Sequence, residues 1–246
     1  FEFVRLLKEI EPEWFLLENV KMKKEYLNVI TEQVGVEPIL LNSALVSAQN
    51  RWRYYWTNIP GINEPKDRSI VLRDILETEI GQEHFYKQKS IDYMERGNDK
   101  WQQAGSRRAD RYEQTPDTKK SFTLTANWHK GVPYNYFKDD TSRLHKPKQV
   151  GVAAEINALT TGLTKDHNIS LETQNEMRWR KLTPIEAERL QTVDDNYTAH
   201  VSNSRRYHML GNGWTIEIIC HILKNMVIVE QGGEVEERKG QIGFEF

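Results

Sequence analysis

The feature that most constrains the fold is an alternation, near the N terminus, between helical periodicity and short apolar runs. Apolar residues recur at helical spacing from Phe3 to Ile10, and Pro12 then interrupts the pattern. Helical periodicity returns over residues 22–35. Three runs predict short strands, namely Trp14–Leu17, Pro38–Leu41 and Arg51–Ile59. Strand, helix and strand in this order are typical of an α/β domain.

The first predicted strand ends on a carboxylate, in the sequence WFLLENV. A charge beside an apolar strand is costly unless charged or hydrogen-bonding groups surround it. In one interpretation the strand simply ends at Glu18, on a solvated rim, and Asn19 begins a turn. In the other, Glu18 is functional, because the ligands of open α/β sheets bind at the carboxyl ends of strands.

The middle of the chain lacks this regularity. From Gly61 to Arg178, polar clusters and scattered aromatic residues predict an irregular insertion, in which Lys119–Ala126 (KKSFTLTA) is a candidate strand. Residues 100–180 contain fourteen Lys and Arg against nine Asp and Glu, although the formal charge of the whole chain is −2. A basic middle on an acidic frame indicates either a surface that binds a polyanion or a solvated, loop-rich one.

Regular structure is predicted again from Lys181 onwards. The sequence TPIE at Thr183–Glu186 places Thr at the N-cap, Pro at the first helical position and Glu at the third. This capping arrangement predicts a helix that runs through Leu190. A final apolar helix is predicted over residues 215–229, and residues 230–246 have the composition of a polar tail.

Composition excludes several classes of protein. The single cysteine, Cys220, excludes an internal disulfide and fits a reducing compartment. No apolar run approaches the ~20 residues that span a bilayer and no leader opens the chain, so we expect a soluble protein without a membrane partner. The chain begins without Met and inside a helical pattern, so we expect it to start within a larger protein. No metal site is predicted.

Four blocks occur in a fixed order: FLLENV, VSAQNRWRYYW, RKLTPIEAERLQTV and MLGNGWTIEII. They resemble motifs VI, VIII, IX and X of the DNA (cytosine-5) methyltransferase family, with that family's long variable gap between the second and the third. The resemblance covers nearly the whole chain. It implies an α/β fold, namely the C-terminal part of a Rossmann-like, S-adenosylmethionine-dependent methyltransferase domain with an inserted, irregular, β-rich target-recognition domain.

The resemblance also divides the chain into segments. Residues 1–62 would form the second half of the catalytic α/β domain, and residues 63–178 the target-recognition region with its connecting segments. Residues 179–229 would return to the catalytic domain as the motif IX and X helices, and residues 230–246 would be the tail. The implied partner is double-stranded DNA. The implied location is the cytoplasm of a bacterial or phage-infected cell, or the nucleus of a eukaryotic one.

A mechanism follows from the same resemblance. Members of the family flip the target cytosine out of the duplex, attack carbon 6 with a cysteine thiolate and methylate carbon 5 from S-adenosylmethionine. Glu18 matches the ENV glutamate, which binds the nitrogen 3 edge and helps to protonate it. Arg51 and Arg53 match the QxRxR arginines, and strand alternation places both on one face, suited to a base carbonyl, a phosphate or the Glu18 carboxylate. A simpler alternative is an exposed cationic strand. The base pocket is expected to include Asn19, Val20 and Gln49.

In the insertion, Thr123-Leu124 resembles a short element of the family's target-recognition domain. Variable loops there would read base edges, while Lys and Arg would contact phosphates. The candidate DNA-binding residues are Arg107, Arg108, Arg111, Lys119, Lys120, Thr123, Leu124, Asn127 and Lys130.

Two blocks depart from the family pattern. Motif IX normally continues with Gly-Phe-Pro, whereas Gln191 is followed here by Thr-Val-Asp, so the turn that docks the helix is expected to differ. We interpret the matching residues of this block as architectural: Arg180, Thr183, Pro184, Arg189 and Gln191. The Gly-Asn-Ser of motif X becomes Gly-Asn-Gly. Asn212, Gly213 and Trp214 are the candidate cofactor-binding residues, with Trp214 favoured as core packing over a cofactor wall.

The glycine-rich cofactor loop and the Pro-Cys nucleophile motif of the family lie upstream of its ENV block, and neither occurs in these 246 residues. Cys220 lies in an apolar helix and is expected to be a core residue. Three interpretations remain open. The chain is part of a methyltransferase whose other half lies upstream or on a second chain, a catalytically silent DNA-binding or regulatory relative, or an RNA cytosine methyltransferase.

Overall fold

The computed structural model describes residues 2–103, 114–130, 137–140 and 177–226. The helices are α1 (Glu2–Ile10), α2 (Lys24–Val34), α3 (Leu72–Ile75), α4 (Gln88–Gln103), α5 (Pro184–Leu190), α6 (Asn203–Asn212) and α7 (Ile216–Leu223). The strands are β1 (Leu16–Val20), β2 (Ile39–Asn42), β3 (Trp52–Thr57), β4 (Phe137–Asp140) and β5 (Met177–Arg180). Short 3₁₀ turns occur at Ser43–Leu45, Gln82–His84 and Trp128–Lys130. The chain is therefore mixed α/β, with small sheets.

The N-terminal strands form a three-stranded sheet of order β1-β3-β2, in which β3 is antiparallel to both neighbours. The first strand begins later than predicted, because side chains occupy the backbone groups before it. Asn58 accepts the Phe15 N–H at 3.0 Å, and the Thr57 hydroxyl donates to the Phe15 carbonyl. Since β1 continues to Val20, Glu18 lies in the middle of the strand and not at its end.

Each face of this sheet packs on a different helix. Strand alternation places Leu41, Arg53 and Tyr55 on the face that packs on α7. The members of this buried cluster are Leu41, Val46, Tyr55, Ile59, Ile218, Ile219 and Ile222. On the opposite face, the fully buried Trp56 donates its indole N–H to the Thr31 hydroxyl of α2 at 3.0 Å. The sheet is thereby fixed to both helices.

A second core joins the insertion to the C-terminal helices. Its buried members include Leu72, Leu124, Trp128, Phe137, Leu182, Leu190, Tyr207 and Leu210. The prediction of a strand at Lys119–Ala126 was wrong, because this segment is irregular apart from one bridge between Ser121 and Gln49. Side chains, instead of a second strand, bind the backbone of Leu124, so no ladder can extend beyond the bridge.

The capping prediction at the start of α5 is confirmed. The Thr183 hydroxyl accepts the Glu186 N–H at 3.1 Å, and the Glu186 carboxylate accepts the Thr183 N–H at 2.8 Å. The final helix, α7, ends at Leu223, before the predicted Val229. Sequence periodicity missed α6, whose polar sequence NSRRYHMLGN carries no clear apolar stripe.

In the described ranges, no helix combines the length and apolar character that crossing a membrane requires. The predicted tail at residues 230–246 lies outside those ranges.

Candidate active site

Glu18 and Arg53 form an ion pair on the face of the N-terminal sheet. Glu18 pairs in register with Tyr55, and Arg53 pairs with Val20, so both side chains project from the same face. Arg53 Nε lies 2.7 Å from Glu18 Oε1, and the side chains are 12% and 16% exposed respectively. Arg53 also donates to the carbonyl of Trp52 at 2.9 Å. Of the partners considered for the arginine pair, the Glu18 carboxylate is the one that Arg53 contacts.

The residues that follow Glu18 differ in accessibility. Val20 is half exposed beside Arg53 in register, so it is free to contact a ligand at the ion pair. Asn19 lies on the other face of β1, where its side-chain oxygen accepts the N–H of Val20 at 2.8 Å. Tyr55 is buried beneath the pair, and burial followed by the Glu18 charge raises its pKa well above the ordinary value. Its hydroxyl therefore stays neutral.

Arg51 is buried and points into the protein, in contrast to Arg53. One terminal nitrogen donates to the Leu124 carbonyl at 2.9 Å, and the other donates to the carbonyls of Gly211 at 3.2 Å and Gly213 at 2.8 Å. Burial, followed by repulsion from Arg53, lowers the pKa of Arg51 to about 10. The guanidinium therefore remains charged at neutral pH. The exposed cationic strand considered as an alternative is absent at Arg51, which is 3% exposed.

Gln49 is likewise fully buried. Its Nε2 donates to the Leu190 carbonyl at 2.6 Å and to Gln191 Oε1 at 2.9 Å, and its Oε1 accepts the Leu124 N–H at 3.2 Å. The side chain thus joins the segment before β3 to the insertion and to the end of α5. Both ends of its amide are occupied by protein groups, not directed to an open pocket.

The end of α6 and the turn that follows it carry the candidate cofactor-binding residues. Asn212 is exposed, and its amide lies 3.5 Å from the His208 ring. Gly213 is partly buried, and its carbonyl accepts the bond from Arg51. Trp214 is 44% exposed, so the expectation of core packing was wrong. An exposed amide and an exposed indole therefore stand on either side of an anchored glycine.

The candidate DNA-binding residues divide into surface and interior groups. Lys119 and Asn127 are exposed, whereas Leu124 is buried and Thr123 donates its hydroxyl to the Asn50 carbonyl. Lys120 points inward and donates to the carbonyls of Ala44, Ser47 and Ile70. Burial lowers its pKa. Arg107, Arg108, Arg111 and the side chain of Lys130 lie outside the described residues.

Comparison with known families decides the class. The family described as C-5 cytosine-specific DNA methylase matches residues 1–227. The chain belongs to this family. Type II methyltransferase M.HpaII from Haemophilus parainfluenzae is 25% identical, and the match covers 89% of this chain and 61% of the relative. Type II methyltransferase M1.ScrFI from Lactococcus lactis subsp. cremoris is 27% identical over 93% of this chain and 55% of the relative. The chain thus spans somewhat over half the length of these relatives.

Solved structures agree on the fold of this family member. A Dnmt2 mutant from Spodoptera frugiperda matches 91% of this chain and 69% of its own, with a TM-score of 0.55 and 19% identity. The Entamoeba histolytica methyltransferase EhMeth matches 91% of this chain and 67% of its own, with a TM-score of 0.59 and 14% identity. The expected methyltransferase fold is confirmed.

The C-5 cytosine methylase family uses S-adenosylmethionine. The exposed Asn212 amide would offer donors and an acceptor to its polar methionine end, and the exposed Trp214 ring would offer an apolar wall. In the part of the chain that the structure describes, no cluster of three or more His, Cys, Asp or Glu residues is arranged to hold a metal ion.

Sequence reasoning missed residues that organise the candidate site. Asn42 accepts the Arg51 N–H at 3.0 Å and caps the following 3₁₀ turn, so it fixes the start of β3. Thr215 donates to Gln191 at 2.9 Å and accepts from Ser43 at 2.8 Å. An Asn before a short turn is a readable capping signal. The Thr215 contacts are not readable, because Ser43 is 172 positions away in the sequence.

Proposed function

We propose that this chain forms the catalytic-acid and recognition part of an S-adenosylmethionine-dependent enzyme that methylates carbon 5 of cytosine in DNA. The substrate cytosine is flipped out of the duplex and enters beside Glu18. Glu18 takes up a proton from solvent as the base enters, binds the nitrogen 3 edge and delivers that proton there, which neutralises the charge that develops in the ring. The bound cofactor supplies the methyl group.

The observation that carries this proposal is the ion pair between Glu18 and Arg53. A carboxylate and a guanidinium lie 2.7 Å apart on one sheet face, each retaining some exposure. Cytosine presents its nitrogen 3 next to its single carbonyl oxygen, so an acid and a planar donor side by side suit that edge. Val20, half exposed beside Arg53, would contact the ring.

The nucleophile is proposed to come from residues other than these. The one thiol in the sequence, Cys220, is half-buried on α7, a helix whose Ile219 and Ile222 pack into the core beneath the sheet. A thiolate must approach carbon 6 closely to attack it. We therefore propose that a Pro-Cys motif and the glycine-rich cofactor loop are provided by an upstream segment or by a second chain.

DNA is the preferred substrate because the matching family is a DNA methylase and both curated relatives are named type II methyltransferases. The exposed Lys119 and Asn127 of the insertion would contact the duplex. The bacterial sources of those relatives favour the cytoplasm of a bacterial or phage-infected cell.

The test is transfer of a tritiated methyl group from S-adenosylmethionine to duplex DNA, with transfer RNA as the competing substrate. The protein is assayed alone and together with any upstream segment that its gene encodes. We expect transfer to duplex DNA in the complete protein, loss of transfer in Glu18→Gln and full transfer in Cys220→Ala. Methylation of transfer RNA alone would establish the RNA alternative, and no transfer to either substrate would favour the silent regulatory one. Transfer that is lost in Cys220→Ala would refute the assignment of the nucleophile.

A further inference from the structure

Two buried side chains, Gln49 and Arg51, each bind the backbone of Leu124 at one end and backbone carbonyls of another segment at the other end. Each holds a backbone group of Leu124 at one end: Gln49 accepts its N–H at 3.2 Å, and Arg51 donates to its carbonyl at 2.9 Å. At the other end, Gln49 binds the Leu190 carbonyl and Arg51 binds the carbonyls of Gly211 and Gly213. Arg51 therefore joins the insertion directly to the end of α6. Gln49 joins it there through Gln191, which accepts from Gln49 and donates to the carbonyls of Leu210 and Gly213.

The two joined segments each carry residues of the proposed binding surfaces. We call Leu124–Asn127 the recognition segment, because the exposed Thr125 and Asn127 follow Leu124 immediately. We call Gly211–Trp214 the cofactor turn, because the exposed Asn212 and Trp214 flank Gly213. A single guanidinium thus touches both segments, within a few residues of groups that would face DNA and cofactor.

The two segments also touch directly. A β-carbon added to Gly211 would lie 2.2 Å from the carbonyl carbon of Thr125 and 2.3 Å from the backbone nitrogen of Ala126. Such distances leave no room for any side chain, so the backbones approach as closely as glycine permits. A displacement of either segment must therefore move the other, or break the bonds to Arg51.

We infer that Gln49 and Arg51 are positioning residues that couple the recognition segment to the cofactor turn, so that a ligand at one surface orders the other. This inference rests on the proposed function, because it assumes a cofactor at Asn212 and Trp214. Coupling between two binding sites is reciprocal, so either ligand can be used to measure it. The buried donors transmit the effect because a satisfied, buried hydrogen-bond network makes the segments that it joins rigid.

Hydrogen exchange measured by mass spectrometry tests the coupling without any need for activity or for the target sequence. S-adenosylhomocysteine is the probe, added to the complete protein used in the transfer assay. We expect it to slow exchange in the cofactor turn and, by about fivefold or more, in the recognition segment. Arg51→Lys, which cannot span all three carbonyls, should retain protection of the turn and lose protection of the recognition segment. Gln49→Met removes the other buried side-chain link to Leu124, and it should also abolish protection of the recognition segment.

Lys120→Met is the matched control. Lys120 is also an inward-pointing cation that donates to three carbonyls, but its partners Ala44, Ser47 and Ile70 belong to neither segment. This variant should lose stability and keep the protection of the recognition segment by the probe. Protection that stays within the cofactor turn in the wild type, or that survives both Arg51→Lys and Gln49→Met, overturns the inference. Protection of neither segment contradicts the proposed cofactor site, and the inference with it.

Discussion

Arg51 and Arg53 lie two positions apart, the first just before β3 and the second within it, and their guanidinium groups bind different partners. Arg53 meets the carboxylate of Glu18 at 2.7 Å and keeps some exposure, whereas Arg51 is buried against three backbone carbonyls. Strand alternation predicts the same direction for both side chains, but Arg51 precedes the strand and points into the protein. Substitution of each should therefore have a different consequence.

Arg53→Met is expected to lower methyl transfer by about 10²–10³-fold, because it removes a donor directed at the proposed base carbonyl. Glu18→Gln should lower it by about 10²–10⁴-fold, since an amide cannot supply the proton. Single-turnover rates measure the chemical step, and equilibrium titration measures duplex affinity. Both variants should keep duplex affinity close to that of the wild type. Equal losses of rate and affinity would make Arg53 a phosphate anchor.

Arg51→Met is expected to destabilise the fold as well as the site. It removes the Arg51 donor from the carbonyls of Leu124 and Gly211 in the interior, and leaves Gly213 with only the longer bond from Gln191 at 3.3 Å. Burying an unsatisfied polar group costs about 1–3 kcal/mol, so the free energy of unfolding in urea should fall by at least that amount. Arg53→Met removes an ion pair that keeps some exposure, so it should cost less than Arg51→Met. An Arg51→Met variant as stable as the wild type would contradict this assignment.

Sequence reasoning found the parts of this site that depend on neighbours in the chain. The capping box at Thr183 and Glu186 is a local pattern, and the structure contains it. The hydrogen-bond partners of Arg51 could not be predicted from the sequence, because Leu124 and Gly211 lie 73 and 160 positions away. A guanidinium on an alternating strand carries no sequence signal that distinguishes a ligand from a distant carbonyl. The family resemblance singled out Arg51, but only the tertiary structure shows which groups its guanidinium binds.

The neighbouring lysines show the same limit. Lys119-Lys120 is a basic pair in a basic segment, and composition treats both residues as contacts for a polyanion. In the fold, Lys119 is exposed, whereas Lys120 points inward and donates hydrogen bonds to three backbone carbonyls. The difference depends on where residues 44–47 and Ile70 lie, and no local pattern encodes that.

This pair yields a matched test of DNA binding. Lys119→Ala should weaken binding to mixed-sequence duplexes and reduce the slope of log affinity against log salt by about 0.9, the value for one phosphate contact. Lys120→Ala should leave that slope unchanged and lower the free energy of unfolding instead, because buried carbonyls lose their donor. Binding titrations over a series of salt concentrations measure the slope for each variant. A slope that falls only in Lys120→Ala would reverse the two roles.

Arg180 holds together the insertion and the start of α5, and its removal is expected to be severe. It donates to Asp139 at 2.9 Å and to Glu186 at 2.7 Å, and all three side chains are buried. Burial alone would lower the pKa of Arg180, but the two carboxylates raise it. Arg180→Leu removes the cation that pairs with two buried carboxylates, so we expect a loss of about 3–5 kcal/mol in urea unfolding.

Arg178 is the control for this substitution on the same strand. It is partly exposed and stacks over the Phe85 ring at 4.4 Å, so Arg178→Leu should cost about 1 kcal/mol. If both variants lose a similar free energy of unfolding, the ion pairs of Arg180 do not determine its contribution to stability.

The last prediction concerns acid stability and the carboxylate of Glu188. This fully buried group accepts hydrogen bonds from the Asn196 and Thr198 N–H groups at 2.7 and 2.8 Å, and from Arg206 at 2.9 Å. Burial alone would raise the pKa of Glu188, but the bonds from Thr198 and Arg206 outweigh burial and lower it. The folded state therefore binds fewer protons than the unfolded state, and the stabilisation is present above the ordinary carboxyl pKa of about 4.3.

That stabilisation should be lost as the pH falls through the lowered pKa of the folded state. Glu188→Gln should thus be clearly less stable than the wild type at neutral pH, and the difference in unfolding free energy should shrink as the solution becomes more acidic than about pH 4. Urea unfolding at a series of pH values measures it. Glu217→Gln, which removes a partly exposed pair with Arg68, is the control and should cost less than about 1 kcal/mol throughout. A Glu188→Gln difference that stays constant from neutral to acid pH would show that the charge of Glu188 does not contribute.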